Sequence, residues 1–338
     1  MMKPYLQQVM AGRDLSTAEA SEAMDLIMSG RATPAQIAAL LVALKQKGET
    51  ADEVAGFVTA MRNHAVRLTL DDADAVDGCG TGGDGSHTFN ISTAAALVTA
   101  AAGVTVAKHG NRSISSRCGS ADLLEAAGGN IDPGPERVVQ NINKSGFGFM
   151  FAPRFHPAMK HAAGPRKELG VRTVFNILGP MSNPAGVTRQ VVGVYDKALM
   201  PLMIDVLEMT GSRHVIVAHS RDGLDEFSVV AATDYIELHD GSRAERVLEP
   251  EQLGLTRRRA DSLRGDDAAH NLDILGRVLK GESGPYRDVV VLNAGTMIYV
   301  GGRVDSIAEG VKLAAKTLDE GAATGVLEDW IRASNDNR

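Results

Sequence analysis

Only two cysteines, Cys79 and Cys118, stand in 338 residues, with no CxxC pair and no Cys/His cluster. Their scarcity argues against a disulfide framework and against a zinc site. Aromatic residues are 4% of the chain, so few rings are available for stacking on bases. A long apolar run is also missing. The best stretch, residues 93–107, is Ala-rich, contains Gly103 and is too short to span a bilayer. Residues 1–7 lack the apolar segment of a secretory leader, so a cytoplasmic protein without membrane partners is expected. An excess of positive charge is lacking as well: 35 Lys+Arg against 42 Asp+Glu give −7, which disfavours nucleic acid as a partner.

What is present is glycine, 36 residues of it, together with 44% hydrophobic residues. That suits an α/β protein with many tight turns, of about two domains. The first ~70 residues read as three short helices. Ser16 with Glu19 and Thr50 with Glu53 form possible capping boxes, and Thr33 precedes Pro34. Each helix has one modest apolar face, so the bundle needs another surface to pack on. Beyond Ala75, β-prone runs at 104–106, 147–150, 191–194, 215–217 and 289–292 alternate with helical segments. The alternation predicts a mostly parallel central sheet flanked by helices. The polar stretch 240–266, with Arg257, Arg258 and Arg259, reads as a surface excursion with a solvated charged face.

The strongest chemical signal is Asp77-Gly78-Cys79-Gly80-Thr81-Gly82-Gly83-Asp84-Gly85, expected to follow a strand and lead to a helix opening at Asn90-Ile91-Ser92-Thr93. Glycines let the backbone turn with positive φ, and successive N–H groups with a helix N-terminus cradle an anion. Asn90, Ser92 and Thr93 add side-chain donors. Residues 78–83 match GxGxxG, but the next β-prone run ends at Lys108, where a dinucleotide fold needs an acid for the ribose. The GxxxxGK[ST] phosphate loop is absent. A ligand with phosphates, a sugar and a metal fits better than NAD or ATP.

A second cluster, Lys108-His109-Gly110-Asn111-Arg112-Ser113, closes that run. Lys108 and Arg112 supply charge; His109 and Asn111 supply directional hydrogen bonds. Ser115, Ser116 and Ser120 follow, and Ser120 is placed either to cap a helix from Ala121 or to contact phosphate. Asp225-Glu226, on a loop after a strand, suit Mg²⁺. Arg166 can bind a carboxylate bidentately, and His156 precedes Pro157.

Seven strings together resemble the anthranilate phosphoribosyltransferases. They are GTGGDG at 80–85, NIST at 90–93, KHGNRS at 108–113, CGSADLLEAAG at 118–128, HPAMKHAAGPRKELGVRT at 156–173, FNILGPMSNP at 175–184 and GLDEFS at 223–228. The resemblance implies a fold shared with pyrimidine nucleoside phosphorylases. A helical domain over 1–72, joined by part of 157–182, would accompany an α/β catalytic domain over 73–338. It implies a homodimer, about two Mg²⁺ per monomer, and transfer of phosphoribose from 5-phosphoribosyl-1-diphosphate to the amine of anthranilate.

Residue by residue, Gly80, Gly82, Gly83, Asp84, Thr88, Asn90, Ser92, Thr93, Lys108 and Ser120 would hold the diphosphate substrate. Gly80, His109, Asn111, His156 and Arg166 would hold anthranilate. Ser92, Asp225 and Glu226 would bind the metal, and Lys108, Asp84 and Arg166 would carry catalysis. The roles of Arg154 and Lys160 stay open. A nucleoside phosphorylase-like enzyme is the nearest alternative, but that family lacks the KHGNR and RKELG pair. A non-catalytic nucleic-acid-binding relative would be basic and would lose the acidic pair.

Overall fold

The structure is a computed structural model that describes residues 1–113 and 117–336. The candidate phosphate contacts Ser115 and Ser116 lie outside the described residues. The chain opens with helices α1 (Lys3–Met10), α2 (Thr17–Met28), α3 (Pro34–Lys47) and α4 (Ala51–His64). Three of them begin where capping chemistry predicts. Ser16, Thr33 and Thr50 each accept from the backbone N–H three residues on, and Glu19, Gln36 and Glu53 reach back. The expectation of three helices misses α1, which spans eight residues and buries only Val9, too little for a visible apolar stripe.

The remaining elements are β1 (Val76–Gly80), α5 (Ile91–Ala101), β2 (Val106–Gly110), α6 (Ser120–Ala126), α7 (Pro135–Ser145), β3 (Phe147–Phe151), α8 (Ala152–Phe155), α9 (Lys160–Leu169) and α10 (Phe175–Met181). After them come β4 (Arg189–Gly193), α11 (Leu199–Met209), β5 (His214–Ser220), β6 (Thr233–His239), β7 (Ser242–Leu248), α12 (Ala268–Leu279), α13 (Pro285–Val300), α14 (Ile307–Asp319) and α15 (Ala322–Asn335). One seven-stranded sheet runs β3-β2-β1-β4-β5-β6-β7. It is parallel from β3 to β5, and β6 and β7 are antiparallel. The expected α/β architecture, a helical bundle beside a mostly parallel sheet flanked by helices, is what the chain adopts.

One local expectation is overturned and one is refined. Residues 289–292, read as a strand, lie inside α13. A helix buried on all sides is apolar all round, and its Val-rich run mimics a buried strand. Pro285 in its first turn and Asp288 behind it mark the true start. Gly295 of α13 and Gly310 of α14 let the two helix backbones touch, since a Cβ on either would overlap the other. The stretch from 240 is not wholly a surface excursion either. Asp240 and Gly241, both with positive φ, turn β6 into β7, the two-residue hairpin that Asp-Gly favours. The triple arginine beyond it is consumed by ion pairs: Arg257 with Glu249 and Glu251, Arg258 with Asp288, Arg259 with Asp261.

α5 and α12–α15 contribute to the apolar cluster on one sheet face. On the other face a single cluster continues from Val192, Val215 and Leu238 through α11 and α10 into α2, α3 and α4. The helical bundle thus finds its missing surface on α9, α10 and α11, of which α11 packs on β5 and β6. Among the described residues no helix is long and apolar enough to cross a membrane.

Candidate active site

The chemistry-bearing residues gather at the carboxyl ends of the parallel strands, where open α/β sheets bind ligands. The glycine motif does not follow a strand, as expected, but begins within one: Asp77–Gly80 belong to β1. After it, Gly82, Gly83 and Gly85 take φ of 68°, 78° and 72°, a left-handed region costly for any residue with a Cβ. The loop is pinned at both ends. Gly82 N–H donates to Asp225 Oδ2 (2.7 Å), and Phe89 N–H donates to the Leu263 carbonyl (3.1 Å). Thr88 lies in an isolated bridge to Arg264. The loop feeds α5, whose N-terminus has no side-chain cap. The Asn90 amide instead donates to the Cys118 carbonyl and accepts from Asn271. The positive end of α5 is therefore available to an anion.

Gly80 and Gly193 are register partners at the ends of β1 and β4. A Cβ on Gly80 would overlap the Asp225 carboxylate, and one on Gly193 would overlap the Asp225 carbonyl. The paired glycines form a notch that seats Asp225. Beside it lie Asp84 and Glu226, both close enough to act on its carboxyl. Burial first, then the charge of Asp84, pushes the Asp225 carboxyl well above the usual range. Burial, then Asp225, does the same to Glu226, which is hydrogen-bonded to Ser92. Carboxylates gathered in this way favour positive charge beside them, and an all-oxygen donor set suits a hard dication such as Mg²⁺.

Lys108 supplies part of that charge from below. It is 2% exposed, and its Nζ donates to the Gly78 carbonyl (2.6 Å) and to Ser92 Oγ (3.2 Å). Asp77, fully buried in β1, accepts from Asn183 Nδ2 (2.8 Å) and the His109 N–H (3.3 Å), and burial pushes its carboxyl up to about 6. Thr93, in the first turn of α5, is buried with its hydroxyl unpartnered among the described residues.

Beyond β2, Ser120 does not cap α6. It is the first helical residue, and its Oγ donates to the Asn111 carbonyl (3.2 Å). Asp122 does the capping, accepting from Gly119 and Ser113 N–H. Arg112, expected to offer charge to a ligand, is engaged by Asp122 and Glu125. Asn111 is exposed, with its Oδ1 taken by the Arg112 N–H (2.8 Å).

His109 and His156 pack together, ring centroids 5.0 Å apart. Each is bonded to a backbone group at α10, His109 at Gly179 and His156 at Ser182, and each leaves Nε2 buried without a partner among the described residues. Burial lowers them to about 3 and about 4, so both rings are neutral near pH 7. Arg166 of α9 meets the other end of α10, its guanidinium 5.0 Å from the Phe175 ring centre. Half-buried, it has no carboxylate partner among the described residues.

Sequence reasoning passes over two residues that shape this site. Gly193 reads only as part of a strand, although an interior strand glycine marks a close backbone approach. Arg172 lies in a matched string without a role. It donates to the Gly83 carbonyl (2.5 Å) and stacks on Tyr195 (4.0 Å), holding the glycine loop against the segment after α9.

Residues 72–324 match the glycosyl transferase family α/β domain, and residues 3–65 match the glycosyl transferase family helical bundle domain. The chain is 50% identical to anthranilate phosphoribosyltransferase of Moorella thermoacetica, over 98% of each chain. It is likewise 50% identical, over 98% of each chain, to that of Thioalkalivibrio sulfidiphilus. The crystal structure of anthranilate phosphoribosyltransferase from Thermus thermophilus superposes with a TM-score of 0.94 at 43% identity, over 98% of this chain and 99% of that one. The Saccharomyces cerevisiae enzyme in complex with PRPP and Mg superposes at 0.89 with 26% identity, over 98% and 97%. With identity of 43–50% along the whole chain, the chain belongs to the anthranilate phosphoribosyltransferase family.

Proposed function

We propose that the two halves of this site divide the substrates of one reaction. The phosphoribosyl group of 5-phosphoribosyl-1-diphosphate passes to the amine of anthranilate, giving N-(5-phosphoribosyl)anthranilate and pyrophosphate. The loop from Gly80 to Asp84, the open N-terminus of α5 and the donors of Thr88, Asn90, Ser92 and Thr93 take the diphosphate substrate, with Ser120 at the rim. Asp225, Glu226 and Ser92 hold Mg²⁺, about two ions per monomer. When bound, Mg²⁺ offsets the charge of the diphosphate oxygens.

The attacking group is a neutral aromatic amine, already nucleophilic, so no strong base is needed at the outset. The demanding event is departure of pyrophosphate from a carbon that becomes oxocarbenium-like. Lys108 contributes fixed positive charge beneath the loop, where it requires no reorganisation. Asp84, on the loop, would lie near the sugar or the bound amine. The remaining contribution is alignment of two substrates.

Anthranilate is held by Arg166 through its carboxylate, with His109, His156, Asn111 and the Gly80 backbone around the ring. Because both imidazoles are neutral, Arg166 supplies the selective charge. The observation that carries this assignment is its half-buried guanidinium without an acidic partner. The helical domain over 1–72 with part of 157–182, homodimer assembly through it and a cytoplasmic setting belong to the same reading. Met10 on α1 and Val42 on α3 leave apolar surface exposed there.

The test is Arg166→Ala under steady-state kinetics. Losing a charged hydrogen-bonded pair costs about 1.5–3 kcal/mol, so KM for anthranilate should rise roughly 10- to 150-fold. KM for 5-phosphoribosyl-1-diphosphate should change little. Equal loss of both affinities, or of neither, would place carboxylate recognition elsewhere.

A further inference from the structure

The opposite end of the sheet carries a second group of donors. His214 opens β5, while the catalytic residues lie past strand ends, roughly 20 Å away along seven residues of strand. In the antiparallel register His214 faces His239, and Glu237 stands two residues before His239. The pleat therefore directs all three to one face: two from one strand at i and i+2, one from its neighbour. Each offers a ligand atom, and the three atoms lie within 4.8 Å of one another.

We propose that His214, Glu237 and His239 form a binding site for a transition-metal dication of the zinc class. Two imidazoles and a carboxylate with a fourth position open to water are a donor set such ions take, whereas Mg²⁺ and Ca²⁺ prefer oxygen alone. The carboxylate already has an orienting partner, since Tyr299 OH donates to Glu237 Oε1 (2.6 Å). His214 Nε2 lies 3.1 Å from the same oxygen, and its ring is almost wholly buried. Among the described residues its Nδ1 has no hydrogen-bond partner, so bonding to Glu237 does not exhaust this imidazole. The His239 side chain is 48% exposed, which gives an ion a route in.

Binding requires one rearrangement. The two imidazoles are stacked, centroids 3.9 Å apart and planes within 3°. A shared ion must lie in both ring planes, so the exposed His239 ring swings out of the stack while buried His214 stays. The sequence argues against zinc because no Cys/His cluster is local; these ligands converge only through the β5–β6 register.

The experiment titrates Zn²⁺ into the full chain by calorimetry, with excess Mg²⁺ present to occupy the carboxylate site, and repeats it with Co²⁺ for its visible tetrahedral spectrum. One Zn²⁺ per chain in the micromolar range is expected. His239→Ala, a half-exposed position, should weaken it by at least about tenfold while keeping kcat. Asp225→Asn/Glu226→Gln should leave it intact. No stoichiometric Zn²⁺, equal affinity in His239→Ala, or loss only in the acidic-pair variant would each overturn the assignment.

Discussion

Gly193→Ala tests whether the glycine notch, rather than the acidic pair alone, builds the metal site. Gly193 touches no substrate in the proposed arrangement and lies outside every chemical motif of the sequence. Its added Cβ would fall inside the van der Waals envelope of the Asp225 carbonyl oxygen, and all three atoms it meets are Asp225 backbone. Either β4 or the Asp225 loop must move by on the order of 1 Å, and a misplacement of that size costs about 10²-fold in rate. Overpacking of this kind costs roughly 1–3 kcal/mol of stability, which a domain of this size survives. The assay is anthranilate fluorescence against Mg²⁺ concentration, with a circular-dichroism melt to show the fold is kept. The expected result is a folded protein with kcat/KM down about 100-fold and a higher Mg²⁺ requirement. Gly276→Ala in α12, where a Cβ meets nothing within 4 Å, is the control and should be as active as the parent. A Gly193→Ala protein with unchanged rate and Mg²⁺ half-saturation would refute the reasoning.

Two more outcomes follow from the same geometry. Asp225→Asn/Glu226→Gln should stay folded, since both carboxyls are destabilised as anions by burial, yet lose turnover at limiting Mg²⁺; undiminished turnover would remove the metal from this pair. His109 and His156 have folded pKa values of about 3 and about 4, below the unfolded value, so their contribution to stability is complete above about pH 6.5 and declines as pH falls. At pH 5 each should cost about 2 kcal/mol relative to pH 7.5. Urea titrations should show a shallower acid slope in His156→Asn, and identical slopes would exclude the pair as its source.

Where local chemistry decides an element, the sequence is legible. Ser16, Thr33 and Thr50 announce helix starts because a cap involves only the next three residues. The 80–85 loop and Asp225-Glu226 are visible because glycine and adjacent acids are chemically unusual. What escapes is set by packing. Residues 289–292 read as a strand because burial on every side erases helical periodicity. α7 and α15, which pack on one another, escape notice, as does β6, whose ladder partner β7 is mostly polar. Gly193, Arg172 and the His214–Glu237–His239 group depend on partners far along the chain, which no local pattern records.

The cluster joining α2, α3 and α4 to the sheet through α10 and α11 also bears on synthesis. Its helical part is finished by residue 64, but its partner surface is complete only at Leu238. At about 5–20 residues per second the ribosome leaves those faces uncovered for roughly 10–30 s. During that interval Met24, Ile27, Leu41, Phe57 and Val58 have only the other residues of the bundle as shelter. The nascent N-terminal segment is thus a natural client for a holding chaperone, and an independently expressed fragment ending near residue 65 should aggregate rather than persist as a soluble bundle.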